Sequence, residues 1–242
     1  MTYADVFRRL NAAEIEYVIP RKYDHLPQRT VDENGDVDVI FEESQYERGV
    51  DVCKAAGFGN TKTRSRQLSK LGRQAIRKPV TAARLAATDQ QALVAIVKRT
   101  DTSNRRHRNL KLDRGTQRLD LRDNLAYKSP MNDKRIPVHP SVTERMLSER
   151  EEKDCFYAPE PCDELAHIVP HCVFDKKGNF PPYYRDRCRL LFETVQSDDE
   201  QYTVFRDHLE KIFFEADDVV LELIREERYG DIAAELLKYH EY

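Results

Sequence analysis

Tryptophan is absent from this 242-residue chain, and no apolar run approaches the roughly 18 to 20 residues a membrane span needs. No membrane partner is therefore expected. The start Met1-Thr2-Tyr3-Ala4-Asp5 lacks the charged-then-apolar layout of a signal peptide, which predicts a cytoplasmic protein. Five cysteines (Cys53, Cys155, Cys162, Cys172, Cys188) form no C-x-x-C pair and are odd in number. That argues against a disulfide framework or a zinc ribbon and predicts free thiols. Aromatic residues are missing from Asn60 through Arg122, so stacking on single-stranded bases is not encoded there.

What is present suits a globular protein. Hydrophobic residues make up 40% and charged residues 34%, with a mean hydropathy of -0.74. The length allows one large domain or two modest ones. The net charge of -3 conceals an asymmetry: Thr61 to Arg122 carries 17 Lys and Arg against four Asp, a net +13, which leaves about -16 for the remainder. A basic middle of that kind attracts phosphate polymers, neutralises a triphosphate, or docks on the acidic remainder.

Periodicity predicts an amphipathic helix over Tyr3–Glu16, a short strand Tyr17-Val18-Ile19 stopped by Pro20, a turn at Asp32–Gly35, a strand through Phe41, and a helix over Ser44–Ala56 closed by Gly57. Residues 60–80 are basic without a clear period. Asp89–Val97 reads as a helix and Lys98–Arg108 as exposed. Asn109–Leu112 and Gln117–Arg122 alternate around Gly115 as a hairpin or successive strands. From Ser141 the pattern is helical: Val142–Glu151, Cys162–Cys172, Tyr183–Gln196, Gln201–Phe214, and Asp217–Lys238 with a break near Gly230.

Chemistry concentrates in Gly35-Asp36-Val37-Asp38-Val39-Ile40-Phe41. On a strand, Asp36 and Asp38 project to one face while Val37 and Val39 enter a core on the other. Two carboxylates so placed repel unless a cation bridges them, and Mg²⁺ (or Mn²⁺) is the natural candidate. By that reasoning, replacing both with Asn should leave the thermal midpoint unchanged or raised. Asp120 lies on the polar face of a later strand, whereas Asp123, at odd spacing, turns away from it. His167 and His171 stand at helical i, i+4 spacing near Cys162 and Cys172, which can bind zinc. With no glutamate between them and no defined fourth ligand, they read as packed histidines.

An early helix, a short strand ending in Pro20-Arg21, an acid-x-acid strand, a helix ending at Gly57-Phe58 and a later acidic strand together resemble the nucleotidyltransferase superfamily, whose fold is related to DNA polymerase beta. The resemblance covers roughly residues 1–130 and is strongest to small members whose strand before the acidic pair ends in arginine. It implies an α+β fold: a nucleotidyltransferase-like mixed sheet with helices over 1–140, carrying a basic insertion at about 60–118, then an all-helical domain over 141–242. It implies that Asp36, Asp38 and Asp120 are metal ligands and catalytic, holding Mg²⁺ or Mn²⁺ for transfer of a nucleoside monophosphate from an NTP to an acceptor. Two metals about 4 Å apart would stabilise both attacking and leaving oxygens. Asp120 is also placed to accept the acceptor's proton, a role its environment decides. Where the superfamily usually has a Gly-Ser pair for the triphosphate, this chain has Pro20-Arg21-Lys22. Arg21 and Lys22 are then expected to hold phosphate by charge-assisted hydrogen bonds.

Two rival readings use the same features. A sugar-nucleotide-dependent glycosyltransferase also places an acid-x-acid pair on a metal, but usually after about a hundred residues of nucleotide-binding fold, and only 35 precede it here. A non-catalytic module would bind nucleic acid through the basic 61–122 stretch and leave the acids idle.

Overall fold

The computed structural model describes residues 2–28, 35–59, 107–129 and 134–239. The basic stretch over 60–106, including the helix expected at Asp89–Val97, and most of the turn expected at Asp32–Gly35 lie outside the described residues. Helix α1 (Tyr3–Ala12) buries Tyr3, Val6, Phe7 and Leu10, the i, i+3, i+4, i+7 stripe of an amphipathic helix. The Thr2 backbone N–H donates to the Asp5 carboxylate at 2.7 Å, half of a capping box at its start.

Strands β1 (Tyr17–Val18), β2 (Val37–Phe41), β3 (Asn109–Arg114) and β4 (Gln117–Arg122) form a mixed sheet in the order β1-β2-β4-β3. β2 and β4 run parallel, while β1 with β2 and β3 with β4 are antiparallel. The β3–β4 hairpin turns at Gly115, whose φ of +61° suits a residue without a side chain. The strands expected over Asn109–Leu112 and Gln117–Arg122 are thus the two arms of this hairpin. His107, expected to be exposed, is buried, its Nδ1 2.6 Å from Asn124 Oδ1. Helix α2 (Tyr46–Ala55) covers the sheet and ends at Gly57, φ +88°.

The sheet has two apolar surroundings. Val37, Val39, Phe41, Leu119 and Leu121 pack with α1 and α2 in one core. Val18 and Ile40 face the other way, into the core of the helical half. That half holds α3 (Pro140–Ser148), α4 (Pro161–Pro170), α5 (Pro182–Gln196), α6 (Asp199–Phe213), α7 (Asp217–Arg225) and α8 (Ile232–Leu236). α4 is its axis, buried from Cys162 through Pro170. It does not continue to Cys172 as a regular helix. The chain passes Pro170, which lacks an N–H for the helical ladder, into a π turn over His171–Asp175. The last expected helix breaks earlier than Gly230, after Arg225, where Glu227 takes a φ of +55°.

A ribbon of β5 (Ala126–Lys128) with β6 (Arg135–Pro137) leads from the sheet into α3. The region from 141 onward, expected to be all helical, carries a hairpin as well. Strands β7 (Glu151–Lys153) and β8 (Phe156–Ala158) then form a hairpin between α3 and α4. Its reason is packing on the first core: the Phe156 ring lies 5.6 Å from that of Phe7, and the Tyr157 carbonyl accepts from the Ile19 N–H at 2.9 Å. All five cysteines are buried free thiols. Among the described residues, no helix is long and apolar enough to cross a membrane.

Candidate active site

The parallel pairing of β2 with β4 sets Asp38 directly opposite Asp120. Their neighbours in register, Val37 with Leu119 and Val39 with Leu121, turn to the α1–α2 core, so both carboxylates turn toward the helical half. Asp36 sits one residue before β2 and is the exposed member, its side chain 38% accessible against 8% for Asp38 and 4% for Asp120. The three sequence-predicted acids therefore lie along one face. Asp123 does not join them. It pairs with Arg108, whose Nε lies 2.6 Å from its carboxylate and whose backbone N–H donates at 2.9 Å.

The protein itself supplies the positive charge that two adjacent carboxylates require. Arg122 Nη2 lies 3.1 Å from Asp38 and 2.9 Å from Asp120. Arg21 Nη2 reaches Asp38 at 2.5 Å, and Lys111 Nζ bridges Asp120 at 3.1 Å to Asp36. Asn109 donates to the remaining oxygen of Asp120. This corrects the stability expectation for the double Asn variant: the repulsion is already neutralised, and removing Asp38 would leave Arg21 and Arg122 buried without their full counter-charge. Burial alone would raise the Asp120 carboxyl, but Arg122 first and Lys111 second hold it well below the usual carboxylate range. Burial opposes in the same way at Asp36, where the Lys111 hydrogen bond prevails and lowers it. A carboxylate so stabilised is a poor proton acceptor, so the geometry suits Asp120 to holding charge rather than to base catalysis.

Beyond the acids, the segment after β1 is fastened to the start of α5. Arg21 donates to the Tyr184 hydroxyl. The Lys22 ammonium lies 5.3 Å from the Tyr184 ring centre and 5.8 Å from that of Tyr183, and Lys176, just past the π turn, lies 5.7 Å from Tyr184. The next residues are tied as firmly: Arg187 grips Glu164 through two contacts of 2.5 and 2.9 Å, the Tyr23 hydroxyl donates to the same carboxylate at 2.5 Å, and Tyr183 donates to Asp24 at 2.6 Å. Three cations, Arg21, Lys22 and Lys176, therefore stand around one tyrosine beside Asp38.

His167 and His171 are stacked, ring centres 5.9 Å apart, next to this cluster. The Nδ1 of His167 faces the Tyr127 hydroxyl at 2.9 Å, and that of His171 faces Asp175 at 3.1 Å. Burial and the Arg21 charge push His171 down to about 4, and His167 down in the same way. Both act as neutral packed rings. Among the described residues, the group whose metal-capable atoms all lie within 4.8 Å of one another is Glu160, Cys162 and Asp163, which includes neither histidine. Arg145 already occupies it, at 2.9 Å from Glu160 and 2.6 Å from Asp163, and His208 Nε2 lies 2.7 Å from Asp163. The oxygens of Asp36, Asp38 and Asp120 are not gathered that tightly in this cation-paired arrangement.

Sequence reasoning missed Arg122, Lys111, Tyr184 and Lys176. Two of these had a signal. Arg122 is two residues from Asp120 and so shares its face, and a tight turn at Gly115 sets Lys111 opposite Asp120. Nothing in the sequence links Tyr184 or Lys176 to Arg21. No family model, curated protein or solved structure matches the chain.

Proposed function

We propose that this protein is a metal-dependent nucleotidyltransferase that moves a nucleoside monophosphate from an NTP to an acceptor, releasing pyrophosphate. The observation that carries the reading is the register of β2 and β4, which pairs Asp38 with Asp120, while Asp36 shares Lys111 with Asp120. Three hard oxygen donors on one face fit Mg²⁺ or Mn²⁺ in donor chemistry. Asp36, Asp38 and Asp120 would hold the ion, which supplies charge neutralisation at the transferring phosphoryl group.

The chain's own residues do the rest. Arg122, buried between Asp38 and Asp120, places a positive charge within reach of both carboxylates and offsets their mutual repulsion. Lys22 and Lys176 of the helical half present a cationic wall around Tyr184, suited to the phosphates that follow the reacting one, while Arg21, held by Asp38 and Tyr184, adds its charge from the interior behind it. The close packing of residues 20–24 on α5 fixes that wall relative to the acids, so orientation costs little on binding.

Incubation with NTPs labelled at the α- or the γ-phosphate, with Mg²⁺ and pooled RNA, protein and small-molecule acceptors, tests the reading. Retention of α-label in product with release of pyrophosphate, lost in Asp36→Asn, supports it. Transfer of the γ-label instead would make the protein a phosphotransferase.

A further inference from the structure

We propose that Lys111 is the displaceable counter-ion of the aspartate site: its ammonium stands between Asp36 and Asp120 where a divalent cation would bind, and leaves when that cation arrives. The inference rests on the metal reading of the site.

Among the described residues, three cations neutralise the three carboxylates, and they differ in their freedom to leave. Arg122 and Arg21 are only 8% and 11% exposed in their side chains, and each keeps a buried Nε without a hydrogen-bond partner among the described residues. Arg122 spans two acids, and Arg21 is held at its other end by Tyr184. Either could leave Asp38 only by carrying a charge through packed interior. Lys111 differs on each count. Its side chain is 43% exposed, it stands on β3 at the edge of the sheet, and its ammonium is a compact point charge on a flexible stem. It can swing into water without burying a charge.

The same geometry says where a cation would enter. Asp36 is 38% exposed and shares Lys111 with the buried Asp120, so the place held by the ammonium combines solvent access with two carboxylates. Metal and ammonium therefore compete for the same oxygens. Removing the ammonium leaves two like charges near each other, an arrangement that favours a divalent cation.

Mn²⁺ titration followed by the electron paramagnetic resonance signal of the free ion tests this on wild type, Lys111→Met, Lys111→Arg and Asp36→Asn. Lys111→Met is expected to bind Mn²⁺ at least about tenfold more tightly than wild type, Lys111→Arg to stay within about threefold of wild type, and Asp36→Asn to bind most weakly. Lys111→Gln gives the same comparison should the Met variant fold poorly. Equal or weaker Mn²⁺ binding by the uncharged variants, with wild type still binding and Asp36→Asn not, overturns the counter-ion role and leaves the metal site standing. Absence of Mn²⁺ binding in every protein removes both.

Discussion

Arg122 is the residue on which the acidic face depends. It is buried, and among the described residues it alone pairs with both Asp38 and Asp120. Arg122→Met should therefore destabilise the protein by about 3–5 kcal/mol, the usual cost of breaking a buried ion pair by removing one partner, read as a lower urea midpoint. Asp36→Asn, at the exposed end of the face, should cost under about 1 kcal/mol. His171 adds a pH dependence whose sign is fixed by its depressed value. Its imidazole titrates near 4 when folded, because of burial and then Arg21, against about 6.5 when unfolded. Its contribution is thus fully present above about pH 6.5 and is lost as pH falls toward 4, by up to roughly 3 kcal/mol. Urea midpoints at pH 7.5, 6 and 5 check this, and His171→Asn should flatten the slope through that window. A midpoint constant across it would contradict the assignment of a neutral buried ring.

At the scale of elements, the contact between α2 and β2 fixes the depth of the strand that carries the acids. A Cβ placed on Gly49 would come within 2.7 Å of the Phe41 ring, which is itself confined by Tyr17 and Tyr46. Gly49→Ala should cost about 1–3 kcal/mol by overpacking, despite the better helix propensity of alanine, and differential scanning calorimetry reads the loss. The elements themselves were largely legible. α1, β2, α2, the β3–β4 hairpin and the long helices of the second half follow from local periodicity and from stops at Gly57, Gly115 and Pro181-Pro182. The β7–β8 hairpin was not. Its strands are three residues each, too short for a period to show, and they exist because Phe156 and Ala158 close a core to which the distant Phe7 and Tyr17 belong.

Across the whole molecule, Arg21, Lys22, Tyr23 and Asp24 form a seam between the sheet and the helical half. The half-buried Arg187 reaches across the seam to the Tyr23 hydroxyl at 2.8 Å and pairs with the buried Glu164 inside the helical half, and Tyr23 donates to the same carboxylate. Arg187→Ala should destabilise by about 3 kcal/mol or more and weaken triphosphate binding without touching an acid of the site. Unchanged NTP affinity in a folded Arg187→Ala protein would separate the seam from the site. The sequence pointed to the three acids because alternation on a strand is local. It could not reveal that Arg21 meets Tyr184 or that Arg122 meets Asp38, since those contacts depend on how distant elements pack. The basic stretch, so prominent in composition, lies mostly outside the described residues.

A thermal-shift titration with each of the four NTPs, with and without Mn²⁺, on wild type and on Asp36→Asn reads metal-dependent nucleotide binding at the acidic face. A metal-dependent nucleotide site should raise the wild-type midpoint only when both metal and NTP are present, and the rise should be lost or much reduced in the variant. No shift at millimolar NTP with metal, or an equal shift in Asp36→Asn, would contradict such a site.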